Sequence, residues 1–599
     1  MRNRMAINKL GTRLAVSLTM LAALAGVPAF AAGAPANDCD KLAASSADRQ
    51  WSGPGVPFGR IDTKKAIPAC EAAVAAHPGT PRFAFQFGRA LSASGHYAEA
   101  MDQYREAADK GYAAAFNNLG TMYRKGSGVR ANDAKALRWF RKAHEEGEPT
   151  GSYNLGLMVE KGKGVKADPP RALSLYQKAA EQGLANAQHK LGEMYWKGRL
   201  VPKDHAQAFH WYMKAAGQGH AEAQGDVGYL YEYGKGVAKD PARAVKWYRK
   251  SAGQGYPWGQ TRLGSMYEYG SGVAKNLATA AKWYRKAAKQ GFAKAQAYLG
   301  WMYNKGRGVK QDYRKAVEWN RKAADQGDAE GQSNLGYLYE KGRGMKQDYR
   351  KAAEWYRKSA DQGYPWGQTR LGVMYEYGHG VAKDLATAAK WYRKAARQGF
   401  AQAQAYMGYM YSNGQGVKQD YSKAAKWYRK AADQGNITSQ YNLGTYYENG
   451  YAVAKDDAEA VRWYRKAARQ GDKSAQKALK KRGLGWTAKS SSPSTSADGR
   501  KQFKNPTIDG VALDICKTWA TDCGKPAADA FCQLRGYQGS VKHEIQHDRP
   551  PTRIIGSGRL CKQGFCDRLS SVTCFGSTAP PPPRDLGPLD DLQELDGLE

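Results

Sequence analysis

Residues 291–326 read GFAKAQAYLGWMYNKGRGVKQDYRKAVEWNRKAADQ, and the organisation of the chain follows from them. The Leu299-Gly300 pair recurs at Leu119, Leu155, Leu191, Leu263, Leu335, Leu371 and Leu443, with Val227 and Met407 as variants. The spacing is 36 throughout, since 443 minus 119 is 324, or nine intervals. A second marker keeps the same phase: Trp139, Leu175, Trp211, Trp247, Trp283, Trp319, Trp355, Trp391, Trp427 and Trp463. A fixed period between about 20 and 50 residues is the signature of stacked repeats.

Each copy carries two helical patterns. Ala295, Leu299 and Tyr303 stand at i, i+4 and i+8, and Ala280, Tyr284 and Ala287 at i, i+4 and i+7; each set is one stripe of a helix. Asp168-Pro169 and Asp240-Pro241 place a capping carboxylate before a proline at the first helical position. Gly306 and Gly308 suit the left-handed residue that ends the first helix and the turn after it. One hairpin cannot bury both stripes, so the copies must stack, and the expected fold class is all-α, a helical-hairpin solenoid.

The pattern A-x-x-x-L-G-x-x-Y-x-x-G-x-G-V followed by K-A-x-x-W-Y-x-K-A-A-x-Q-G closely resembles the Sel-one-like repeat family, a branch of the tetratricopeptide-repeat superfamily. The resemblance spans about residues 83–483 and implies a superhelix that binds other proteins, without chemistry of its own. Departures are local. Phe87-Gly88 lies 32 residues before Leu119 while Tyr104 stays in phase with Phe140, which puts a shortened turn in the first hairpin. Val159 and Asn320 stand where tyrosine is usual. Residues 255–362 and 363–470 are near-duplicates, a super-period of 108.

Outside the repeats, residues 1–31 read as a signal peptide. Arg2, Arg4, Lys9 and Arg13 form a basic start, Leu14–Ala25 an apolar run too short to span comfortably, and Ala29-Phe30-Ala31 a cleavage site. Residues 32–82 read as an N-terminal cap, 484–505 as a polar linker, 506–576 as a cysteine-rich module and 577–599 as a proline-rich acidic tail. The eight cysteines avoid the repeats. Cys39 and Cys70 are expected to staple the cap, and Cys516, Cys523, Cys532, Cys561, Cys566 and Cys574 to form disulfides of open pairing. Export to the periplasm or beyond, with no transmembrane span after signal removal, is the expected localisation.

The formal charge of +37 invites a nucleic-acid reading. Four of those charges fall in the signal segment, leaving 37 minus 4, or +33. Much of the rest repeats in one slot of the second helix, as at Arg285-Lys286 and Arg393-Lys394, which reads as a solvated face. No base-reading motif accompanies it, so nucleic acid is not an expected partner; weak, salt-dependent adhesion to anionic envelope surfaces is.

The family pattern implies that residues two before, two after and five after the repeated leucine face the concave side. These include Tyr153, Trp196, Tyr229, Trp301, Tyr337, Tyr409 and Tyr441, interleaved with Glu160, Glu232, Glu268, Glu340, Glu376 and Glu448. An aromatic and acidic groove favours a protein partner with a basic or extended segment. Packing of these rings against the next hairpin is the alternative for each tyrosine.

Chemistry is suggested once. His543-Glu544-Ile545-Gln546-His547 matches the H-E-x-x-H zinc-peptidase motif, which requires a helix. Gly539 before it and Pro550-Pro551 after it leave little room, and Val541, His543, Ile545 and His547 alternate as on a strand. A strand holds positions four apart at roughly 13 Å, too far for one zinc. No phosphate loop and no G-x-S-x-G elbow occur. The expectation is a non-enzymatic scaffold, with no catalytic residues, metal or cofactor. A glycan-binding role for residues 506–576 and a zinc peptidase are the alternatives.

Overall fold

In the computed structural model, the residues described are 36–45, 53–486 and six short strands between 494 and 575. They fall into two compact units, one up to His220 and one from Ala221. The first holds α1 (Asp38–Ala43), α2 (Thr63–Ala76), α3 (Pro81–Ser94), α4 (Tyr97–Asp109), α5 (Ala113–Lys125), α6 (Asp133–Glu145), α7 (Pro149–Lys161), α8 (Pro169–Glu181), α9 (Ala185–Lys197) and α10 (His205–Gly217). The second opens with α11 (Ala221–Tyr233), α12 (Pro241–Gly253), α13 (Pro257–Tyr269), α14 (Leu277–Lys289), α15 (Ala293–Lys305), α16 (Tyr313–Asp325), α17 (Ala329–Lys341) and α18 (Tyr349–Asp361). It continues with α19 (Pro365–Tyr377), α20 (Leu385–Arg397), α21 (Ala401–Asn413), α22 (Tyr421–Asp433), α23 (Ile437–Asn449), α24 (Asp457–Arg469) and α25 (Lys473–Lys481). The period of 36 is thus one hairpin, an odd-numbered first helix and an even-numbered second helix from α5 to α24.

Local chemistry fixes these boundaries. Every second helix from α6 to α24 starts on an Asn or Asp whose side chain accepts a backbone N–H of the first turn, as Asp312 does from Lys315 at 3.0 Å. The first helix ends at a left-handed glycine such as Gly306 (φ 66°). A second left-handed glycine, Gly308, brings the turn against α14: a Cβ there would lie 2.1 Å from the Leu277 carbonyl oxygen. Leu200 and Ala452 occupy this second slot in two repeats and adopt φ of 63° and 54°. The shortened first hairpin is as expected, with only two residues between α3 and α4.

The core lies between the two helices of each hairpin and between neighbours. The repeated leucines are fully buried, and so are Phe140, Tyr176, Tyr248, Tyr284, Tyr356, Tyr392 and Tyr464, the aromatics one place after the tryptophan position, which Leu175 fills before Tyr176. The glycine of the Leu-Gly pair receives that ring, since a Cβ on Gly264 would stand 2.7 Å from Tyr284. Burying one such side chain contributes roughly 1.5–3 kcal/mol.

A line of glutamines joins the hairpins. Gln254 donates to Gln224 at 2.8 Å, Gln290 to Gln260 at 2.9 Å and Gln362 to Gln332 at 2.8 Å. The acceptor glutamine in turn donates to a carbonyl of the preceding second helix, as Gln296 does to Ala288 at 3.1 Å. The pattern continues through Gln398, Gln434 and Gln470.

At the N-terminus, Cys39 and Cys70 form a disulfide, Cα–Cα 4.5 Å, between α1 and α2. The stapled pair docks on α3 through Asp40, fully buried, which accepts from Arg82 at 2.9 Å and Gln86 at 2.9 Å. The strands are β1 (Ser494–Thr495), β2 (Lys501–Lys504), β3 (Thr507–Ile508), β4 (Val511–Ala512), β5 (Gly539–Gln546) and β6 (Arg568–Phe575). Four form an antiparallel sheet in the order β1-β2-β6-β5. The signal segment, the acidic tail and five of the six later cysteines lie outside the described residues, and of Cys574 only its place in β6 is described. Among the described residues no helix is long and apolar enough to cross a membrane.

Candidate functional site

The face expected to bind a partner was built from two residue sets, and the structure treats them differently. The glutamates are turned into the protein. Glu268, Glu340 and Glu376 are 7%, 4% and 7% exposed. Each of the six accepts a hydrogen bond from the phenol sixteen residues ahead: Tyr176 to Glu160 (2.8 Å), Tyr248 to Glu232 (2.7 Å), Tyr284 to Glu268 (2.9 Å), Tyr356 to Glu340 (2.8 Å), Tyr392 to Glu376 (2.6 Å) and Tyr464 to Glu448. Most also pair with a base from the following hairpin. Arg199 sits 2.9 Å from Glu160, Arg262 2.7 Å from Glu232 and Arg307 3.6 Å from Glu268, while Arg370 pairs with Glu340 and Arg482 with Glu448.

This corrects the expected acidic groove. A carboxylate leaving water must find donors, and these find them inside their own repeat. Burial alone would raise the Glu340 carboxyl, but Arg370, Lys341 and Tyr356 outweigh it and hold Glu340 below the usual carboxylate range. Burial, and then the neighbouring carboxylate, push the Tyr284 phenol well above its ordinary value. Glu340 therefore stays ionised and Tyr284 protonated, each in the form its own hydrogen bond needs. Glu330, on α17, behaves otherwise: burial pushes it up to about 7 against the pull of Lys294, 3.5 Å away.

The aromatic set divides. Tyr229 is buried, its ring 4.5 Å from Tyr233 and beneath Arg262. Tyr153 and Tyr441 are half-buried against Tyr176 and Tyr464, and Trp196 against His205. For these four the packing alternative holds. Trp301 and Tyr337 are half-buried with cations over their rings, and Tyr409 is 43% exposed. Tyr337 also packs on Trp366 of the next hairpin, at 5.9 Å, so of the whole set only Tyr409, on α21, is exposed.

The Arg-Lys slot of the second helix is more engaged than a solvated face. Each lysine covers the tryptophan three residues before it, as Lys286 does Trp283 at 4.4 Å and Lys394 does Trp391 at 4.0 Å. The arginine reaches the next hairpin, Arg285 to the Tyr303 hydroxyl at 3.1 Å and Arg321 to that of Tyr339 at 2.9 Å. The zinc-peptidase alternative is overturned by backbone geometry. His543, Glu544, Ile545 and Gln546 lie in β5, paired with Val572, Ser571, Leu569 and Arg568, so the motif has no helix; position 547 is outside the described residues.

The Sel1 repeat profile matches residues 113–148, 149–184, 185–220, 221–256, 259–292, 293–328, 329–364, 367–400, 401–436 and 437–472. The chain belongs to the Sel1 repeat family. Sel1 repeats are part of the tetratricopeptide-like superfamily, generally protein-interaction modules and typically non-enzymatic scaffolds. Among solved structures, a protective antigen of uropathogenic Escherichia coli with an SLR fold is 35% identical, covering 69% of this chain and 90% of its own, with a TM-score of 0.55. A Sel1 repeat protein from Oxalobacter formigenes is also 35% identical, covering 52% of this chain and 90% of its own, with a TM-score of 0.39. No curated protein matches the chain.

Proposed function

We propose that this Sel1 repeat protein is an exported, non-enzymatic scaffold of the cell envelope that holds a protein partner along its first helices. The observation that carries the reading is the fate of the repeat's polar groups. Glutamates and phenols are consumed in clasping the two helices of a hairpin, and glutamines and arginines in joining hairpin to hairpin. The first helices keep partly accessible aromatic area at Trp301 and Tyr337, both half-buried, and at the exposed Tyr409. First helices also pack on one another across hairpins, α15 on α17 and α17 on α19, which supports reading their face as the inner one. Rigid aromatic area at low entropic cost is what a docking face requires. Export is supported by the basic-apolar-small pattern of residues 1–31 and by the Cys39–Cys70 bond, which persists in oxidising compartments.

The test is capture from envelope extract by the intact chain, by a Trp301→Ser/Tyr409→Ser variant, and by a chain ending after the repeats. A partner that is kept by the repeats and lost by the double variant supports the reading. Capture that requires residues 506–576 and ignores both substitutions makes the solenoid a spacer and sinks it.

A further inference from the structure

This inference rests on the docking reading above and concerns one stretch of the first-helix face. In the usual repeat a glutamate on the first helix meets the phenol sixteen residues on, and an arginine of the next hairpin reaches back to it, as Arg199 does to Glu160 and Arg307 to Glu268. Between α15 and α17 the same three places hold Asn304, Asn320 and Arg343. Both the carboxylate and the phenol are replaced by amides, while the guanidinium remains. Arg343 donates to Asn304 Oδ1 at 3.3 Å, a neutral acceptor where its counterparts find a charged one.

The surroundings point the same way. Lys305 Nζ lies 5.9 Å from the Trp301 ring and 5.7 Å from that of Tyr337. Arg307 stands 5.0 Å over Trp301, and Arg343 5.4 Å over Tyr337. Of the three cations only Arg307 has a carboxylate, Glu268; among the described residues Lys305 and Arg343 form no ion pair. Beneath them Asn320, 1% exposed, keeps an unmatched Oδ1, and Asn334, 9% exposed, an unmatched Nδ2. Asn334 occupies the place from which Arg262 and Arg370 pair with their glutamates. An unmatched buried polar group costs about 1–3 kcal/mol, so this hairpin forgoes stability that its neighbours keep.

We propose that Arg343, Lys305, Trp301 and Tyr337 form a receptor for an acidic peptide segment of a protein partner. A carboxylate of that segment takes the place against Arg343 that glutamate fills in other repeats, and a neighbouring apolar side chain lies on the two rings. Charge decides the occupant: of the three cations only Arg307 is matched by a carboxylate, so the partner segment is acidic, not basic.

The test uses the intact chain and a fluorescein-labelled peptide of alternating glutamate and leucine, read by anisotropy, with the glutamine counterpart as control. Asn304→Glu/Asn320→Tyr restores the internal pair, and Arg343→Gln removes the guanidinium. Both should weaken binding about ten- to hundredfold, the range of a charge-assisted hydrogen bond. The double variant should match or exceed the parent Tm, which separates lost binding from lost fold. Equal affinity of the double variant, equal affinity of the glutamine peptide, or no saturable binding with or without residues 585–599, would each overturn the proposal. Binding that emerges only when residues 585–599 are deleted would overturn the assignment to a partner and give the site to the chain's own acidic segment. A captured protein whose retention ignores these substitutions would end this inference and leave the scaffold reading standing.

Discussion

Replacing Tyr356 by Phe isolates the carboxylate–phenol pair. The ring stays in its pocket over Gly336, and only the hydroxyl that donates to Glu340 at 2.8 Å is removed. Glu340 is 4% exposed and keeps Arg370 and Lys341, so no charge is left wholly unpaired. A hydrogen bond to a buried charge contributes about 1.5–3 kcal/mol, against about 0.5–1.5 for a neutral one. The control is Tyr428→Phe. That ring is also buried, but the residue sixteen before it is Ser412, and its hydroxyl meets Ser412 and Asn442, so only neutral bonds are lost. Urea unfolding followed by tryptophan fluorescence should show the Tyr356 variant less stable than the Tyr428 variant by about 1 kcal/mol. A cycle with Glu340→Gln should give a coupling above about 0.5 kcal/mol. The excess should also depend on pH. The Glu340 carboxyl is held below its unfolded value, so its contribution is present above the ordinary carboxylate range and is lost as pH falls through the folded value. Equal losses in both variants with no coupling would refute the claim that the glutamates are structural, and would return them to the groove.

Three further outcomes are expected. Ala452→Gly should raise stability by about 0.5–1 kcal/mol, because Ala452 holds φ 54° where most repeats place glycine; a loss in thermal unfolding would contradict the strain argument. Cys39→Ser/Cys70→Ser should cost about 3–4 kcal/mol of cap stability, from a loop whose ends are 31 residues apart, seen as faster proteolysis before residue 83. Glu330→Gln should flatten the stability–pH curve between about 4.5 and 7. A carboxyl raised to about 7 binds a proton in the folded state that the unfolded chain has released, so the parent loses stability as pH rises through that window, by about 1–3 kcal/mol with its side chain one-fifth exposed.

The hairpin, its turn glycines and its period were legible because each is a local, periodic demand of the backbone. The Cys39–Cys70 staple was legible from compartment logic. The glutamates were misread because a face assigned from the first helix alone does not see a phenol sixteen residues ahead on the second. A signal was present: in every repeat that carries the glutamate a tyrosine follows at that distance, whereas Phe140 is preceded by Arg124 and Asn320 by Asn304. The glutamine line escaped for a different reason. Gln at the end of a second helix reads as an ordinary polar cap, and its partner thirty residues earlier is visible only once the hairpins are stacked.

The glutamine bridges, repeated hairpin by hairpin from Gln224 to Gln470, make the second unit a set of near-identical springs joined in series. Pulled from its ends, such an array distributes extension evenly until one junction gives way, and the neighbours then relax. Its compliance scales with the number of repeats, and its yield force is set by the weakest junction. The hairpins of Asn304/Asn320 and of Ser412/Tyr428, which lack the phenol–carboxylate clasp, are where that first rupture should fall.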